Sequence, residues 1–261
     1  MKAVKSYQHV FENKSIDDLF NEEGYVTMPL LNESDIETIT RLLNDVNMPF
    51  TDSIFHSHIH SNYSVNIKVH EIVSKFFEPF LKKISLSNPY KIAAAVYIDK
   101  KPSQDSVFDI HSDDSLCDER YFVPINIWIP LVDVDYDSGT MCICKRSHKN
   151  TLIIRSNSIR DPFIENNKQS LLNDYSVIKL QKGNALIYSP SCVHFSPPNK
   201  SSSNRPVIAI TLIPENSVLC IFEQKRKILG RNYFLKYNIT REQLLKRIKP
   251  SELSPSEKIY L

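Results

Sequence analysis

Phe108-Asp109-Ile110-His111-Ser112-Asp113 leads from a predicted strand, Val107–His111, into a His-x-Asp pair. Short apolar or alternating runs between turn residues are typical of strands. Because side chains two residues apart in a strand point the same way, His111 and Asp113 can bind one ion together. We therefore expect this pair at the end of a strand, where a jelly roll opens.

A second stretch, Cys192-Val193-His194-Phe195-Ser196, brings another histidine 81 residues after Asp113. Two histidines and one carboxylate form the facial triad that binds non-haem Fe(II) and leaves coordination positions open. Arg205 lies eleven residues beyond His194 and offers a cation that can anchor a small dicarboxylate. His-x-Asp alone arises often by chance, so the prediction of an iron-dependent oxygenase depends on the whole combination.

The sequence around these stretches predicts many short strands. From Tyr90 to about Pro214, apolar or alternating runs are separated by turn residues such as Gly139 and Gly183, two of only four glycines, where we expect an unusual φ. This pattern indicates an all-β sandwich or jelly roll. The predicted strands are Lys91–Ile98, Val107–His111, Val123–Pro130, Gly139–Cys144, Val177–Leu180, Ala185–Tyr188 and Val207–Ile213.

Helical patterns flank the strands. Asn32 is a predicted N-cap, and the helix after it has one apolar face, made of Ile36, Ile39, Leu42, Leu43 and Val46. A second helix is predicted over Val69–Lys83, and Thr240-Arg241-Glu242-Gln243 matches a capping box. We therefore expect one domain over residues 1–261, with a helical N-terminal part (1–90), a jelly-roll core (91–214) and a helical C-terminal part (215–261).

The composition is that of an ordinary globular protein. Hydrophobic residues make up 41% and charged residues 24%, and the formal net charge is +2, which argues against charge-driven binding to nucleic acid or membrane. No apolar run is long enough to span a membrane, and the N-terminus lacks the apolar core of a signal peptide. We expect a cytoplasmic protein, a monomer or a homodimer. The five cysteines fit no disulfide framework, and Cys142 and Cys144 are predicted to be buried thiols.

Beyond the triad, longer motifs resemble the phytanoyl-CoA dioxygenase family of Fe(II)/2-oxoglutarate oxygenases, over nearly the whole chain. Phe20-Asn21-Glu22-Glu23-Gly24-Tyr25-Val26 is similar to the N-terminal opening of that family. Residues 126–134, Ser138-Gly139-Thr140 and Ser147-His148-Lys149 resemble its central signature. Gly183-Asn184-Ala185-Leu186-Ile187-Tyr188 resembles the strand that leads to the distal histidine.

The resemblance implies a double-stranded β-helix, a cupin-like jelly roll, with flanking helices. It implies His111, Asp113 and His194 as iron ligands, and an Arg205 salt bridge to the distal carboxylate of 2-oxoglutarate, a geometry that guanidinium suits. The cofactors implied are Fe(II), the co-substrate 2-oxoglutarate and O2. Three further residues match positions of the co-substrate pocket in the family: Ser196, Trp128 and Tyr97.

This sequence departs from the family pattern at Ser112, where many members have Gln, and at Ile110, where many have an aromatic residue. Neither residue type binds metal here, so the predicted triad is unaffected. Halogenases of the superfamily replace the carboxylate by a small residue. Because Asp113 is present, the sequence favours hydroxylation or another oxidation over halogenation.

Two other histidine-containing segments are alternative candidates for a metal site. His56, His58 and His60 would lie on one face of an extended segment, but no carboxylate or cysteine at a familiar spacing accompanies them. A loop facing the substrate is the favoured interpretation. We expect His148 to fix a turn.

The resemblance implies hydroxylation of an unactivated C–H bond in a small molecule, a specialised metabolite or an amino-acid-like compound, with release of succinate and CO2. Alternatives are desaturation or ring closure, a protein hydroxylase, and a non-catalytic jelly-roll binding protein. We expect substrate selectivity in the loops Phe50–Tyr63, Ser112–Tyr121 and Ile153–Leu172. These loops mix aromatic and charged side chains, a mixture that is also normal for solvated loops.

Overall fold

The computed structural model describes residues 9–49, 52–59, 62–156, 161–225 and 233–260. His60 and parts of two predicted substrate loops lie outside these ranges. The helices are α1 (Lys14–Glu23), α2 (Glu33–Asn44), α3 (Tyr63–Phe77), α4 (Pro162–Leu171) and α5 (Arg241–Leu245). None of the helices in the described ranges is long and apolar enough to cross a membrane.

The strands form three antiparallel sheets. They are β1 (Tyr25–Pro29), β2 (Ile54–His56), β3 (Tyr90–Lys100), β4 (Phe108–His111), β5 (Ile125–Pro130), β6 (Cys142–Ile143), β7 (Ser176–Val177), β8 (Asn184–Tyr188), β9 (His194–Ser196), β10 (Arg205–Pro214), β11 (Cys220–Lys225), β12 (Tyr233–Asn238) and β13 (Glu257–Tyr260). Each of the seven predicted strands overlaps one of the strands from β3 to β10, with different ends. The mainly β fold of the double-stranded β-helix type is confirmed.

The major sheet has the strand order β1-β8-β5-β10-β3-β2, and the minor sheet has the order β4-β9-β6-β7. All six residues of β5 are buried, because this strand lies inside the major sheet with both faces covered. Ile125, Ile127 and Ile129 belong to the core cluster that the helices cover, whereas Trp128 belongs to a second cluster that faces the minor sheet. The major sheet therefore has an outer, helix-covered face and an inner face toward the minor sheet.

The helices pack on the outer face as their sequences require. Asn32 caps α2 and forms a capping box with Asp35, as predicted. Ile36, Ile39 and Leu43 of α2 are buried, whereas Leu42 of the same apolar face is 37% exposed. The second predicted helix begins six residues earlier than expected, because Asn62 caps it and starts α3 at Tyr63. Residues 78–84 continue as a 3-10 helix.

The prediction of a helical C-terminal part is wrong. Residues 220–260 contain the three-stranded sheet β11-β12-β13, and α5 has only five residues. β11 pairs with the next strand, β12, with Cys220 opposite Asn238. The strand preference of such residues depends on this pairing and packing, which local sequence patterns do not show. The N-terminal part likewise contains two unpredicted strands, β1 and β2. The extent of the single domain stays a prediction.

Other details agree with the sequence analysis. Gly139 and Gly183 have φ of +72° and +81°, the left-handed region that glycine enters readily. All five cysteines are free and buried, as expected for Cys142 and Cys144.

Candidate metal and co-substrate site

His111 and His194 meet because β4 and β9 pair with these residues directly opposite each other. Their ring centroids lie 4.3 Å apart. Asp113 follows just after β4, and its Oδ1 lies 3.6 Å from His111 Nε2 and 3.7 Å from His194 Nε2. One potential ligand atom from each side chain lies within 4.8 Å of the others, and among the described residues this is the one group of such residues that could hold a metal ion.

Backbone carbonyls orient both imidazoles toward this point. His111 Nδ1 lies 2.6 Å from the carbonyl oxygen of Asp109, and His194 Nδ1 lies 3.0 Å from that of Cys192. A carbonyl can only accept, so each Nδ1 carries the hydrogen and each Nε2 keeps its lone pair. This tautomer is the one that binds a metal through Nε2.

Asp113 is held in a matching way. Asn126 Nδ2 and the Tyr188 hydroxyl donate to its Oδ2 over 2.7 and 2.9 Å, which leaves Oδ1 toward the histidines. Arg155 Nε donates to the Asp113 carbonyl oxygen over 2.8 Å. Sequence reasoning missed these supporting roles, although a polar Asn126 inside an all-buried strand is a signal, because a buried amide needs a partner.

The electrostatics favour a charged carboxylate beside a neutral imidazole. Burial alone would raise the pKa of Asp113, but the two histidines and the Tyr188 hydroxyl together hold it well below its usual value. Burial, assisted by His111, lowers the pKa of His194 to about 4. Burial also acts to lower the pKa of His111, but its interaction with Asp113 outweighs this and raises it.

Arg205 is a buried cation that the described residues do not satisfy. Its side chain lies beside the Trp128 ring, with the guanidinium carbon 5.4 Å from the ring centroid. The residue is 2% exposed, and Nε has no hydrogen-bond partner within the part of the chain that the structure describes. Burial lowers its pKa to about 10, although Asp99 opposes this shift. A buried guanidinium without a partner is costly, so this group fits a site for a carboxylate ligand.

Three of the four predicted co-substrate residues line one cavity with the triad, and one does not. Arg205, Ser196 and Trp128 all line a cavity of about 1170 Å³ that also contains the triad. The placement of Tyr97 there is wrong: it packs into the helix-covered core and against Phe55, with ring centroids 6.3 Å apart. Strand alternation explains the error, because the even-numbered neighbours in β3, Ala94, Val96 and Ile98, line the cavity instead.

Each of the three predicted substrate loops contributes residues to the cavity wall, among them His56, Leu116 and Lys168. Residues between 243 and 250 also line the cavity, a C-terminal contribution that the sequence did not predict.

Two charged residues of the predicted loops are buried. Glu119 and Arg155 are 2% and 4% exposed and form a salt bridge with each other. This ion pair links the Ser112–Tyr121 and Ile153–Leu172 loops, so these two charges are not simply solvated.

His56 and His58 form no metal site with the other described residues, and His60 lies outside the described residues. The amide of His58 donates to His56 Nδ1 over 3.2 Å, and both residues line the cavity. His148 lies in a 3-10 turn, with Nε2 3.1 Å from the carbonyl oxygen of Asn21.

This arrangement fits the predicted iron ion and its dicarboxylate co-substrate. Two imidazole nitrogens and one carboxylate oxygen, each oriented by a second contact, suit a divalent transition metal with open coordination positions. The unsatisfied Arg205 in the same cavity suits a dicarboxylate. The fold and the site together define the class of Fe(II)/2-oxoglutarate-dependent oxygenases.

Comparison with known proteins agrees. The family model of phytanoyl-CoA dioxygenase (PhyH) matches residues 20–207. No curated protein matches the chain. The chain belongs to the phytanoyl-CoA dioxygenase family, and it is a 2-oxoglutarate-dependent non-haem iron dioxygenase with Fe(II), 2-oxoglutarate and O2 as cofactor and co-substrates.

Solved structures share the fold at low sequence identity. The non-haem α-ketoglutarate-dependent carbocyclase SnoK from nogalamycin biosynthesis is 15% identical, with a TM-score of 0.62, over 95% of this chain and 96% of that one. HygX from Streptomyces hygroscopicus, with nickel, 2-oxoglutarate and hygromycin B bound, is 14% identical, with a TM-score of 0.56, over 78% and 88%. The epimerase SnoN, also from nogalamycin biosynthesis, is 15% identical, with a TM-score of 0.52, over 78% and 83%.

Proposed function

We propose that this protein hydroxylates an unactivated C–H bond of a small molecule and releases succinate and CO2. The observation that carries the proposal is the convergence of the triad and the unsatisfied Arg205 on one cavity. Bound iron would supply O2 activation and the oxidation of substrate and 2-oxoglutarate. The protein contributes binding, orientation and the exclusion of water.

His111, Asp113 and His194 are the proposed iron ligands. Each ligand is already fixed by a second contact, so little ordering remains when the metal binds. The Tyr188 hydroxyl and the Asn126 amide hold Asp113 Oδ2 and keep Oδ1 directed toward the imidazoles.

Arg205 is the proposed anchor for the distal carboxylate of 2-oxoglutarate. Its guanidinium lies beside Trp128 in a water-poor part of the cavity, where a charge-assisted hydrogen bond is strong. Ser196 of the minor sheet is the proposed second contact, because it lines the same cavity as Arg205.

A small-molecule substrate is supported by the shape of the site. The cavity is lined by residues from the N-terminal and C-terminal parts as well as from the core, including His56 and Arg247. Its volume of about 1170 Å³ suits 2-oxoglutarate together with a second compound. HygX has hygromycin B bound, and we propose a specialised metabolite or an amino-acid-like compound for this chain.

Hydroxylation is preferred to halogenation because Asp113 fills the third ligand position, so no vacated protein site remains for a halide. Desaturation and ring closure use the same triad. The mass of the product separates them, because hydroxylation adds one oxygen atom and desaturation removes two hydrogen atoms.

The test is succinate formation from 2-oxoglutarate by the iron-loaded enzyme, with a panel of small molecules as substrates. We expect succinate formation with wild-type enzyme, and a loss of at least about a thousandfold in His111→Ala, because one of three ligands is removed. His9→Ala, at an exposed histidine near the N-terminus, is the matched control and should keep full activity. Undiminished succinate formation by His111→Ala would contradict the proposed iron site.

A further inference from the structure

Lys100, the last residue of β3, is 0% exposed. Lysine is almost never fully buried unless it is paired. No carboxylate forms a salt bridge with it among the residues that the structure describes. Its aliphatic stem packs closely on Gly139, where an added Cβ would come within 2.9 Å of Lys100 Cδ, and its Nζ lies 5.4 Å from the centroid of the Phe108 ring.

The hydrogen bonds of Lys100 lead to the co-substrate pocket. Its Nζ donates to Ser196 Oγ and, over 2.7 Å, to the Pro197 carbonyl oxygen. Because Ser196 accepts from Lys100, the hydroxyl hydrogen of Ser196 remains available as a donor. Among the described residues it donates to the Gly139 carbonyl oxygen over 3.3 Å, which is a weak bond that a carboxylate in the cavity could replace.

Lys100 also stands next to the second buried cation of the site. It pairs with Arg205 directly across β3 and β10. Asp99, its neighbour in β3, accepts from Asn204 instead, and Cys142 faces Lys100 from β6. Burial, and then the charge of Arg205, lower the pKa of Lys100 to about 6. Two adjacent buried basic groups are unfavourable by themselves, and an anion bound in the adjoining cavity would offset that cost.

We propose that Lys100 is a positioning residue for 2-oxoglutarate: it fixes Ser196 as a hydrogen-bond donor toward the distal carboxylate and, with Arg205, makes the anchor selective for a dianion. This inference rests on the proposed function. Lys100 does not touch the cavity and acts through Ser196.

The arrangement predicts that binding of 2-oxoglutarate takes up a proton. In the free enzyme Lys100 is mainly neutral at pH 7.5, and the arriving carboxylate raises its pKa. The affinity for 2-oxoglutarate is then highest below about pH 6 and falls as the pH rises from about 6 to the pKa that Lys100 has in the complex. The other groups that face Lys100, Arg205 and Cys142, keep their protonation states in this range.

The test compares wild type with Lys100→Met, which keeps the length of the side chain but removes the amine. Lys200→Met, in the exposed loop before β10, is the matched control. Binding of 2-oxoglutarate to anaerobic Fe(II)-loaded enzyme is measured by the fluorescence of Trp128, the only tryptophan in the chain, which lies beside Arg205. Proton uptake is measured by calorimetry in buffers with different ionisation enthalpies.

We expect Lys100→Met to weaken 2-oxoglutarate binding by about tenfold to a hundredfold, with kcat at saturating 2-oxoglutarate little changed. We also expect it to abolish the uptake of about one proton seen with wild type. Lys200→Met should match wild type in both measurements. Without 2-oxoglutarate, the Tm of Lys100→Met should equal or exceed that of wild type, because a buried unpaired amine is removed.

Three outcomes would overturn the proposal: unchanged affinity, unchanged proton uptake, or a lower Tm with unchanged affinity, which would make Lys100 a structural strand contact. The double variant Lys100→Met/Ser196→Ala adds a check, because two residues that act through one hydroxyl should not show additive losses. If wild type itself fails to bind 2-oxoglutarate, the proposed co-substrate site is wrong. If wild type binds 2-oxoglutarate and Lys100→Met binds it equally well, only the proposed role of Lys100 is wrong.

Discussion

The two faces of the major sheet differ in what they leave unsatisfied. The outer face carries Ile125, Ile127 and Ile129 against the helices, in a core made of apolar contacts. The inner face carries Asn126, which donates to Asp113, and Arg205, whose Nε has no partner among the described residues. Each face is well buried, so burial alone does not distinguish residues that stabilise the fold from residues that bind a ligand.

Two buried histidines show the same contrast. His70 of α3 and His194 of β9 are 3% and 5% exposed, and burial lowers the pKa of each to about 4. His70 Nδ1 accepts a hydrogen bond from the Ala95 amide over 3.1 Å, and this bond links α3 to β3. His194 uses Nδ1 on a carbonyl and directs Nε2 toward Asp113. The contrast teaches that a ligand-binding group is recognised by the hydrogen-bonding capacity that the protein leaves unused.

A loss of co-substrate binding tests the inner face. In Arg205→Met, binding of 2-oxoglutarate to Fe(II)-loaded enzyme should weaken by about a hundredfold, because one partner of a buried charge pair is lost. The free energy of unfolding without 2-oxoglutarate should not fall, because no carboxylate of the described residues forms a salt bridge with the removed guanidinium. Calorimetry and denaturant unfolding measure the two quantities. Arg41→Met, on the exposed side of α2, is the control and should change neither quantity. A large loss of stability in Arg205→Met would contradict the view that this residue of the inner face serves binding and not folding.

The corresponding change on the outer face is Ile127→Ala. Ile127 is fully buried, so the free energy of unfolding should fall by about 2–5 kcal/mol. The folded fraction should keep the wild-type affinity for 2-oxoglutarate, because Ile127 points away from the cavity. Leu42→Ala, at a partly exposed position of α2, should lower stability by about 0.5 kcal/mol or less. Denaturant unfolding measures the stability of each variant, and binding assays on the same proteins measure the affinity for 2-oxoglutarate.

The pH dependence of stability should reveal His70. Its folded-state pKa is lowered from 6.5 to about 4, first by burial and then by the charge of Arg241. Its contribution is therefore complete above pH 6.5 and is lost as the pH falls toward 4, by about 3 kcal/mol in total. His70→Gln keeps an acceptor but does not titrate, so it should lose less stability over this window than wild type. Equal slopes for the two iron-free proteins would contradict this role of His70.

The smallest predicted effect concerns Tyr188→Phe. This change removes the hydroxyl that donates to Asp113 Oδ2 but keeps the ring, whose centroid lies 5.3 Å from that of His194. Iron affinity should fall by about tenfold, as for other residues that orient metal ligands. Tyr90→Phe removes a comparable hydroxyl that donates to the Val123 carbonyl, and it should leave iron affinity unchanged. Metal competition titrations measure both.

Much of the core and the site was predictable from the sequence. The strands β3 to β8 and β10 follow local alternation and turn residues, whereas β9, which carries His194, was not predicted as a strand. The triad follows from a His-x-Asp pair, a distal histidine and the family motifs. Tyr97 was misplaced because one step of strand register moves a side chain to the opposite face. The C-terminal sheet was missed because strand preference depends on pairing and packing, here of β11 with β12 and of β12 with β13, more than on local residues.

The sequence by itself indicated the class of the protein, its mainly β fold and three candidate ligand side chains, because the strand pattern is local and the longer motifs resemble one family. Only the tertiary structure decided how those side chains are oriented and which buried groups remain unsatisfied. Lys100 illustrates this difference: in the sequence it is an ordinary lysine at the end of a strand. Its burial beside Arg205 and Ser196 arises from strand pairing and desolvation, which are properties of the folded chain.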